Sequence, residues 1–282
     1  MVTTPENAEA FQIKVQLDEV RNKFWRHFRV SAESLTHSYH AIKNYQADFL
    51  PVLEMDSLPF IAQDPNVELD WDSLKQQTMN WLLKNAFEDF ITGLNESLIE
   101  AYRFLHFRNA SHSTRQRPFL DKQALDERLR KIASEPMSLH VPKLIETIAQ
   151  EINSPIQLTQ EVLSINKVRN CLVHRNGVVS LLDVNDREKN VLRLSYLEHI
   201  THVKIDGEPH RLTMELKLKS PTIHGMMLEA RPATRSYAVN EQVVFDTNLF
   251  NSVAFTCMGF TEQLLHQLWL IVQQDREAGL IE

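Results

Sequence analysis

The sequence predicts a mainly α-helical bundle with a small antiparallel β insertion before the C-terminal helix. Apolar residues recur every three or four positions over most of the chain, as they do on the buried face of a helix. Only 6 glycines occur among 282 residues, so few flexible breaks interrupt these patterns. After Gly177 the apolar residues instead alternate with polar ones, which is typical of a half-buried strand.

The N-terminal part, residues 1–70, is predicted to be a separate helical segment. Residues 6–30 and 31–54 each carry a helical pattern, and we place the break between them near Ser31. The proline-containing stretch Pro51–Asp70 indicates a connector to the rest of the chain.

The main helical bundle is predicted to occupy residues 71–282. Its first long helix keeps one apolar face through about residue 107. Shorter helices are indicated at 121–134 and 142–152, and the patterned stretch 158–174 predicts the helix before Gly177, a glycine suited to a C-terminal cap.

The β insertion is predicted to span residues 178–245. Residues 211–219 alternate strictly between polar and apolar side chains, and Asp206-Gly207 is a typical hairpin turn. Helical spacing returns after Asp246, whose carboxylate is suited to cap the N-terminus of a last helix.

Composition limits the classes of function. The formal net charge of −7 argues against a general binder of polyanions, so a nucleic-acid contact would need a local basic patch. The only cysteines, Cys171 and Cys257, lie in apolar helical patterns and are expected to be core residues in a reducing compartment. The start MVTTPENAEA lacks the features of a secretion signal, and no apolar run is long enough to span a bilayer. A cytoplasmic location without membrane contact is therefore expected.

The segment Arg169 to His174, at the end of the helix 158–174, carries the strongest functional signal. Arg169 falls within the apolar stripe of that helix, where a guanidinium needs an acceptor. Asn170 and His174 lie four residues apart on a different side of the helix. By average residue usage, an R-N-x-x-x-H match occurs by chance in about one chain in a hundred of this length.

Two residues of the preceding long helix are candidate partners for Arg169. Glu88 and Asn95 are seven positions apart and border the apolar face of that helix. Either side chain is a suitable acceptor for the guanidinium of a packed neighbour. An ordinary boundary position is the alternative interpretation of both residues.

The sequence VRNCLVHRNG around Arg169, Asn170 and His174 resembles the HEPN superfamily. Its signature is an arginine followed, after four to six residues, by a histidine, and its members are mostly metal-independent ribonucleases. The resemblance implies a composite site in a homodimer, with no metal and no cofactor. It also implies a toxin or antiphage-defence role that a regulatory or antitoxin partner controls.

The same residues suit RNA cleavage on chemical grounds. When the ribose 2′-hydroxyl attacks the adjacent phosphate, the reaction needs a base, an acid and stabilisation of the negative charge. His174 is the candidate acid or base, Arg169 the phosphate binder and Asn170 the orienting group. One such histidine per chain supplies one proton-transfer group, so a two-fold dimer would supply both.

A local basic segment offers a surface for RNA. Residues 103–131 contain eight Lys and Arg against three Asp and Glu, with aromatic residues interspersed. The candidate RNA-binding side chains in this predicted connector are those of Arg103, Arg108, Arg115 and Arg117. A solvated loop whose charges confer solubility is the alternative.

Other interpretations of the motif stay open. Arg169 can pair with a carboxylate in the core, and His174 can be a helix-end residue that interacts with the helix dipole. The chain would then be a catalytically silent helical adaptor that binds RNA or a protein partner. No histidine pair in the sequence has an obvious third metal ligand nearby.

Overall fold

The computed structural model describes most of the chain and confirms the mainly α-helical class. None of the helices in the described part of the chain is long and apolar enough to cross a membrane. The predictions for Pro51–Asp70, for the turn at Asp206-Gly207 and for most of 211–219 lie outside the described residues. The described residues are 17–44, 71–116, 122–205, 208–212 and 225–280.

Within the described residues, the fold has six helices and one three-stranded antiparallel sheet. A 3₁₀ turn, Glu135–Ser138, joins the third and fourth helices. The helices are α1 (Leu17–Asn44), α2 (Trp71–Gln116), α3 (Lys122–Ser134), α4 (Val141–Ile152), α5 (Thr159–His174) and α6 (Thr247–Glu277). The strands are β1 (Val191–Ile205), β2 (Glu208–Arg211) and β3 (Gly225–Ala238). Two of the helices, α5 and α6, pack against the sheet's central strand, β1.

The predicted break near Ser31 is wrong, because α1 is continuous through this residue. Ser31 is buried, and its Oγ donates a hydrogen bond to Asp89 Oδ2 of α2 at 2.7 Å. The hydroxyl therefore bonds to the neighbouring helix and does not compete for the backbone of its own helix, which is how serine usually ends helices. Val20 and Phe24 of α1 belong to the same buried cluster as the apolar residues of α5 and α6.

Helix α2 is longer than predicted and continues past residue 107 to Gln116. Ala110 is buried, and Arg108 donates hydrogen bonds from Nε and Nη2 to the buried carboxylate of Asp275 in α6, each at 2.6 Å. This extension is therefore packed against α6, and the first part of the basic segment is helical instead of a connector.

The sheet is larger than the small insertion that the sequence predicts. Its strand order is β2-β1-β3, and β1 pairs with β3 from Val191↔Ala238 to Lys204↔Gly225. Leu192 and Leu194 of β1 are fully buried in the main core. The predicted hairpin position agrees with the strands, since β1 ends at Ile205 and β2 begins at Glu208.

Side chains outside the sheet accept hydrogen bonds from the edge of β1 that β3 leaves free. In β1, the backbone amides of every second residue point away from the paired strand β3. A buried amide that finds no acceptor there would lower the stability of the fold. Three successive amides of this set donate to side-chain oxygens, one in the loop before β1, one in α5 and one in α6, so the strand is fixed directly to its loop and to both helices. The bonds are Arg193 N to Asn185 Oδ1 (2.7 Å), Ser195 N to Ser164 Oγ (2.9 Å) and Leu197 N to Thr256 Oγ1 (2.8 Å).

Thr256→Val is expected to destabilise the protein by about 1–3 kcal/mol, because the Leu197 amide would lose its acceptor while packing volume is largely kept. Urea unfolding followed by circular dichroism measures this loss. Thr261→Val is the matched control, since the buried Thr261 hydroxyl donates only to Cys257 O of its own helix. If both variants lose the same free energy of unfolding, the hydrogen bond from Leu197 N of β1 adds no stability beyond that of an ordinary hydroxyl within a helix.

Candidate functional site

The Arg169 side chain lies between α5 and α2 with part of its hydrogen-bonding capacity unused. Its Nη2 is 3.6 Å from Glu88 Oε1, and its Nη1 donates to Asn170 Oδ1 at 3.2 Å. The Nε atom is buried and has no hydrogen-bond partner. Glu88 is therefore an acidic neighbour of the kind expected for Arg169, but a single long contact leaves donors of the guanidinium available to an anion.

Asn170 and His174 follow on the last turns of α5. Asn170 is half-buried, whereas His174 is exposed at the end of the helix. Their four-residue separation places them on one side of the helix, about 6 Å apart along its axis. His174 is thus one turn beyond the pair formed by Arg169 and Asn170.

The end of α5 is held by a left-handed turn and a buried ion pair. Gly177 has a φ of 82° and donates from its backbone N to Cys171 O at 3.0 Å, as the predicted cap requires. Next to His174, the Arg175 guanidinium donates to Asp183, which is 0% exposed. Burial alone would raise the pKa of Asp183, but hydrogen bonds from Arg175 and Ser180 lower it. The carboxylate thereby fixes the backbone that follows the motif.

A cleft of about 1040 Å³ opens beside Arg169. Its walls are α2, the beginning of α4, α5, the loop before β1 and β1 itself. Of the site residues predicted from the sequence, the cleft brings together Asn95, Arg169 and Asn170. Glu88 and His174 are not among its lining residues.

The cleft has a positive lining although the whole chain is acidic. Lys167, Arg169, Arg187 and Arg193 line it together with one carboxylate, Asp186. The side chains of Arg187 and Arg193 are exposed, and neither guanidinium is bonded to another described residue. Most of the other polar lining residues carry amide or hydroxyl groups, so the cleft is suited to an anionic ligand that also forms hydrogen bonds.

The cleft contains residues that the sequence interpretation missed. Arg187 and Arg193 lie before and within β1, 13 and 19 residues after His174, and no local pattern connects them to the motif. His140 lies at the N-cap of α4, where no histidine spacing singles it out. Only the packing of β1 and α4 around α5 brings these residues to Arg169.

The predicted RNA-binding arginines are engaged within the protein where the structure describes them. Arg103 donates to Ala133 O from Nη2 at 2.7 Å and to Glu100 Oε1 from Nη1 at 2.7 Å. Arg108 is held by the buried Asp275. The Arg115 side chain and Arg117 lie outside the described residues, and an RNA contact of the four arginines stays a prediction.

Both cysteines are buried, as the sequence predicts. Burial raises the pKa of the Cys171 thiol to about 11, so the thiol within the motif is protonated at neutral pH. Burial also raises the pKa of Cys257. Thiol chemistry at the motif is therefore not favoured.

Comparisons with known proteins add no relative. No protein-family model, no curated protein and no solved structure matches the chain. Among the described residues, no group of three or more His, Cys, Asp or Glu side chains is arranged to hold a metal ion. The geometry of the cleft and of the motif therefore carries the functional argument.

Asp183→Asn is expected to destabilise the protein by about 3–5 kcal/mol at pH 7, because it breaks a buried ion pair from one side. The lowered pKa of Asp183 adds stability that is fully present above the unfolded-state pKa, about 3.9, and is lost as the pH falls through the folded-state value. The difference between wild type and variant should therefore shrink in acid.

Denaturant unfolding at pH 7 and at acidic pH measures both effects. Glu146→Gln is the control, because Glu146 forms an exposed ion pair with Lys143 that is worth about 0–1 kcal/mol. A difference between wild type and Asp183→Asn that does not change with pH would contradict the assigned ionisation.

Proposed function

We propose that this protein is a metal-independent endoribonuclease of the HEPN type, which cuts RNA by attack of the ribose 2′-hydroxyl on the adjacent phosphate. The observation that carries the proposal is the Arg169 guanidinium, whose buried Nε has no partner and whose side chain lines a positively charged cleft. A phosphodiester is an anion that matches both properties.

Each motif residue has a distinct task in this reaction. Arg169 binds the non-bridging phosphate oxygens and stabilises the charge that grows on them in the transition state. Asn170 accepts a hydrogen bond from Arg169 Nη1, so it orients the guanidinium and leaves its own amide group free for the substrate. His174, on the next turn, takes or gives one of the two protons that must move.

Glu88 and Asn95 support the site from α2. Glu88 lies 3.6 Å from Arg169 and restrains the guanidinium, while being too distant to satisfy it. Asn95 lines the cleft and supplies an amide group to a ligand. Lys167, Arg187 and Arg193 then attract the neighbouring phosphates of the RNA. The cleft therefore guides the substrate more than Arg103 and Arg108 do.

The resemblance to HEPN proteins extends the proposal to partners and context. A homodimer would bring a second His174 to the same phosphate and supply the other proton-transfer group. A toxin or antiphage-defence role in the cytoplasm, controlled by a regulatory or antitoxin partner, follows from the resemblance alone.

A catalytically silent RNA-binding adaptor is the second candidate function. Arg187 and Arg193 favour it, because both are exposed, neither guanidinium bonds to another described residue, and phosphate binding by them requires no chemistry. Such an adaptor would bind RNA through the cleft and leave it intact.

The proposal predicts that purified protein cleaves single-stranded RNA in excess chelator and leaves 2′,3′-cyclic phosphate ends. His174→Ala should lower kcat by about 10²–10⁴-fold, the usual contribution of one proton-transfer group. Arg169→Ala should lower it by at least about 10²-fold, because charge on the phosphate would lose its main donor. Gel analysis of end-labelled RNA and mass spectrometry of the products measure these effects.

Arg26→Ala and His210→Asn are the controls, since both residues are exposed, lie outside the basic segment 103–131 and do not line the cleft. Both controls should cleave like wild type. Intact RNA that still binds to the wild type and not to Arg169→Ala would favour the adaptor. Cleavage that His174→Ala retains in full would remove this histidine from the mechanism.

A further inference from the structure

The cleft beside Arg169 has room for more than a phosphate, and part of its wall is apolar. Its volume of about 1040 Å³ is at the upper end of the usual range for small-molecule sites. Four aliphatic side chains of the wall belong to the protein core or pack against it: Ile91, Leu139, Val141 and Leu163. An apolar group gains from contact with this wall, whereas a phosphate oxygen would lose water there without gaining a hydrogen bond. A ligand that fills the cleft therefore needs an apolar part besides its charge.

The cleft extends from Arg169 in the direction away from His174. Lys84 Nζ of α2 donates to Asn176 Oδ1, just after α5, at 3.3 Å. Arg169 lies 3.6 Å from Glu88, one turn further along α2, so the two helices are antiparallel here. On α2 the lining residues come after Glu88, and on α5 none comes later than the residue that follows Arg169. A ligand with its phosphate at Arg169 thus has the cleft on one side and the end of α5 on the other.

Two half-buried amide side chains line this part of the cleft and form no hydrogen bond with any described residue. They belong to Asn95 of α2 and Asn166 of α5. Along the helix axes, Asn166 is about 4–5 Å from Arg169, and Asn95 is about 10 Å from Glu88. The exposed amide of Gln160, nearer the start of α5, also lines the cleft and has no described partner. Unpaired amides therefore continue into the cleft beyond the guanidinium.

The other two asparagines of the lining have a role within the protein. Asn170 Oδ1 accepts from Arg169 Nη1, and the Asn185 side chain bonds the backbone N and O of Arg193. The two half-buried amides differ from these, because neither has a described partner. Each can offer a ligand one acceptor and two donors.

A nucleotide combines the groups that this lining requires. The faces of a nucleobase pack on apolar side chains, and its edge presents donors and acceptors side by side. Asparagine amides pair with such edges through two hydrogen bonds. The phosphates next to the base match Arg169, Arg187 and Arg193. The lining is therefore better suited to a nucleotide than to a phosphate alone.

We propose that the cleft is a nucleobase subsite, in which Asn95 and Asn166 bond the edge of the base attached to the phosphate at Arg169. Nucleotide binding in this subsite requires no reaction. Its role in cleavage rests on the endoribonuclease function proposed above, to which it adds a base preference next to the cut. One chain supplies the whole subsite, and the exposed His174 lies outside it, accessible to a second chain.

The first test measures binding without cleavage. The 3′,5′-bisphosphates of adenosine, guanosine, cytidine and uridine are titrated by isothermal titration calorimetry, and ribose 1,5-bisphosphate is the reference ligand without a base. The best nucleoside bisphosphate should bind at least about 5-fold more tightly than the reference, because its base packs on the apolar wall. The four Kd values should span roughly 5–100-fold, which is typical of one well-paired base.

Asn95→Leu and Asn166→Leu test the two amides, since leucine has a similar volume and forms no hydrogen bond. Each variant should narrow the span of the four Kd values to about 3-fold or less and leave the Kd of ribose 1,5-bisphosphate unchanged. Thermal unfolding should show no loss of stability, because neither amide has a described partner to lose. Asn22→Leu is the matched control on α1, exposed and outside the cleft, and it should bind all five ligands like wild type.

The second test relates the base to the cut in RNA. A single-stranded RNA of random sequence is digested with the wild type, and sequencing of the products identifies the bases on either side of each cut. The base of the tightest-binding bisphosphate should be enriched at one of these positions. Asn95→Leu and Asn166→Leu should lose this enrichment, whereas Asn22→Leu should keep it.

The outcomes separate the two proposals. Equal Kd values for all five ligands would overturn the nucleobase subsite. If the wild type cuts RNA without any base preference, the subsite is likewise wrong and the proposed function stands. If the bisphosphates bind with the expected preference and RNA stays intact in every condition, the endoribonuclease function fails, and the cleft remains a nucleotide-binding site.

Discussion

The candidate site depends on the docking of the free edge of β1 onto the helices. Before the residues that pair with β2, one edge of β1 has no strand partner and must satisfy its amides, and here Ser164 of α5 and Thr256 of α6 accept from Ser195 and Leu197. The single Ser164 hydroxyl proton has two acceptors within reach, Glu161 O of its own helix at 2.8 Å and Ser195 O at 3.1 Å. These short bonds fix the distance and the register between the strand and α5. Arg193 and Ser195 of β1, attached in this way, line the cleft together with Arg169 of α5.

The same attachment determines the charge of the cleft. Arg193 lies two residues before Ser195 on β1, and the Asn185 side chain bonds both its backbone N and its backbone O, at 2.7 and 2.8 Å. The loop with Arg187 is thereby tied to the strand. Although the net charge of the chain is −7, its tertiary packing thus brings several cationic side chains together at one place. The overall negative charge repels polyanions, so a nucleic acid needs a local positive site such as this cleft.

Local patterns were sufficient to predict most helices, the cap at Asp246 and the hairpin position, because each depends on neighbours in sequence. The carboxylate of Asp246 accepts from Leu249 N at 2.8 Å, as an N-cap does. Local patterns fail at Ser31 and beyond residue 107, where contacts with another helix decide whether the helix continues. In the site, the spacing of Arg169, Asn170 and His174 drew attention to α5, and the border position of Glu88 indicated a neighbour for Arg169. His140, Arg187 and Arg193 had no local signal, since only the fold brings them to the motif.

The central claim is that Arg169 and the surrounding cleft bind the phosphate at which RNA is cut. A crystal structure of the protein with a short RNA blocked by 2′-O-methyl groups tests it most directly, because this ligand has phosphates but no free 2′-hydroxyl to attack them. Our account predicts a phosphate oxygen within about 3 Å of Arg169 Nε or Nη. An oligonucleotide bound elsewhere on the protein, with Arg169 still directed only at Glu88 and Asn170, would contradict the account.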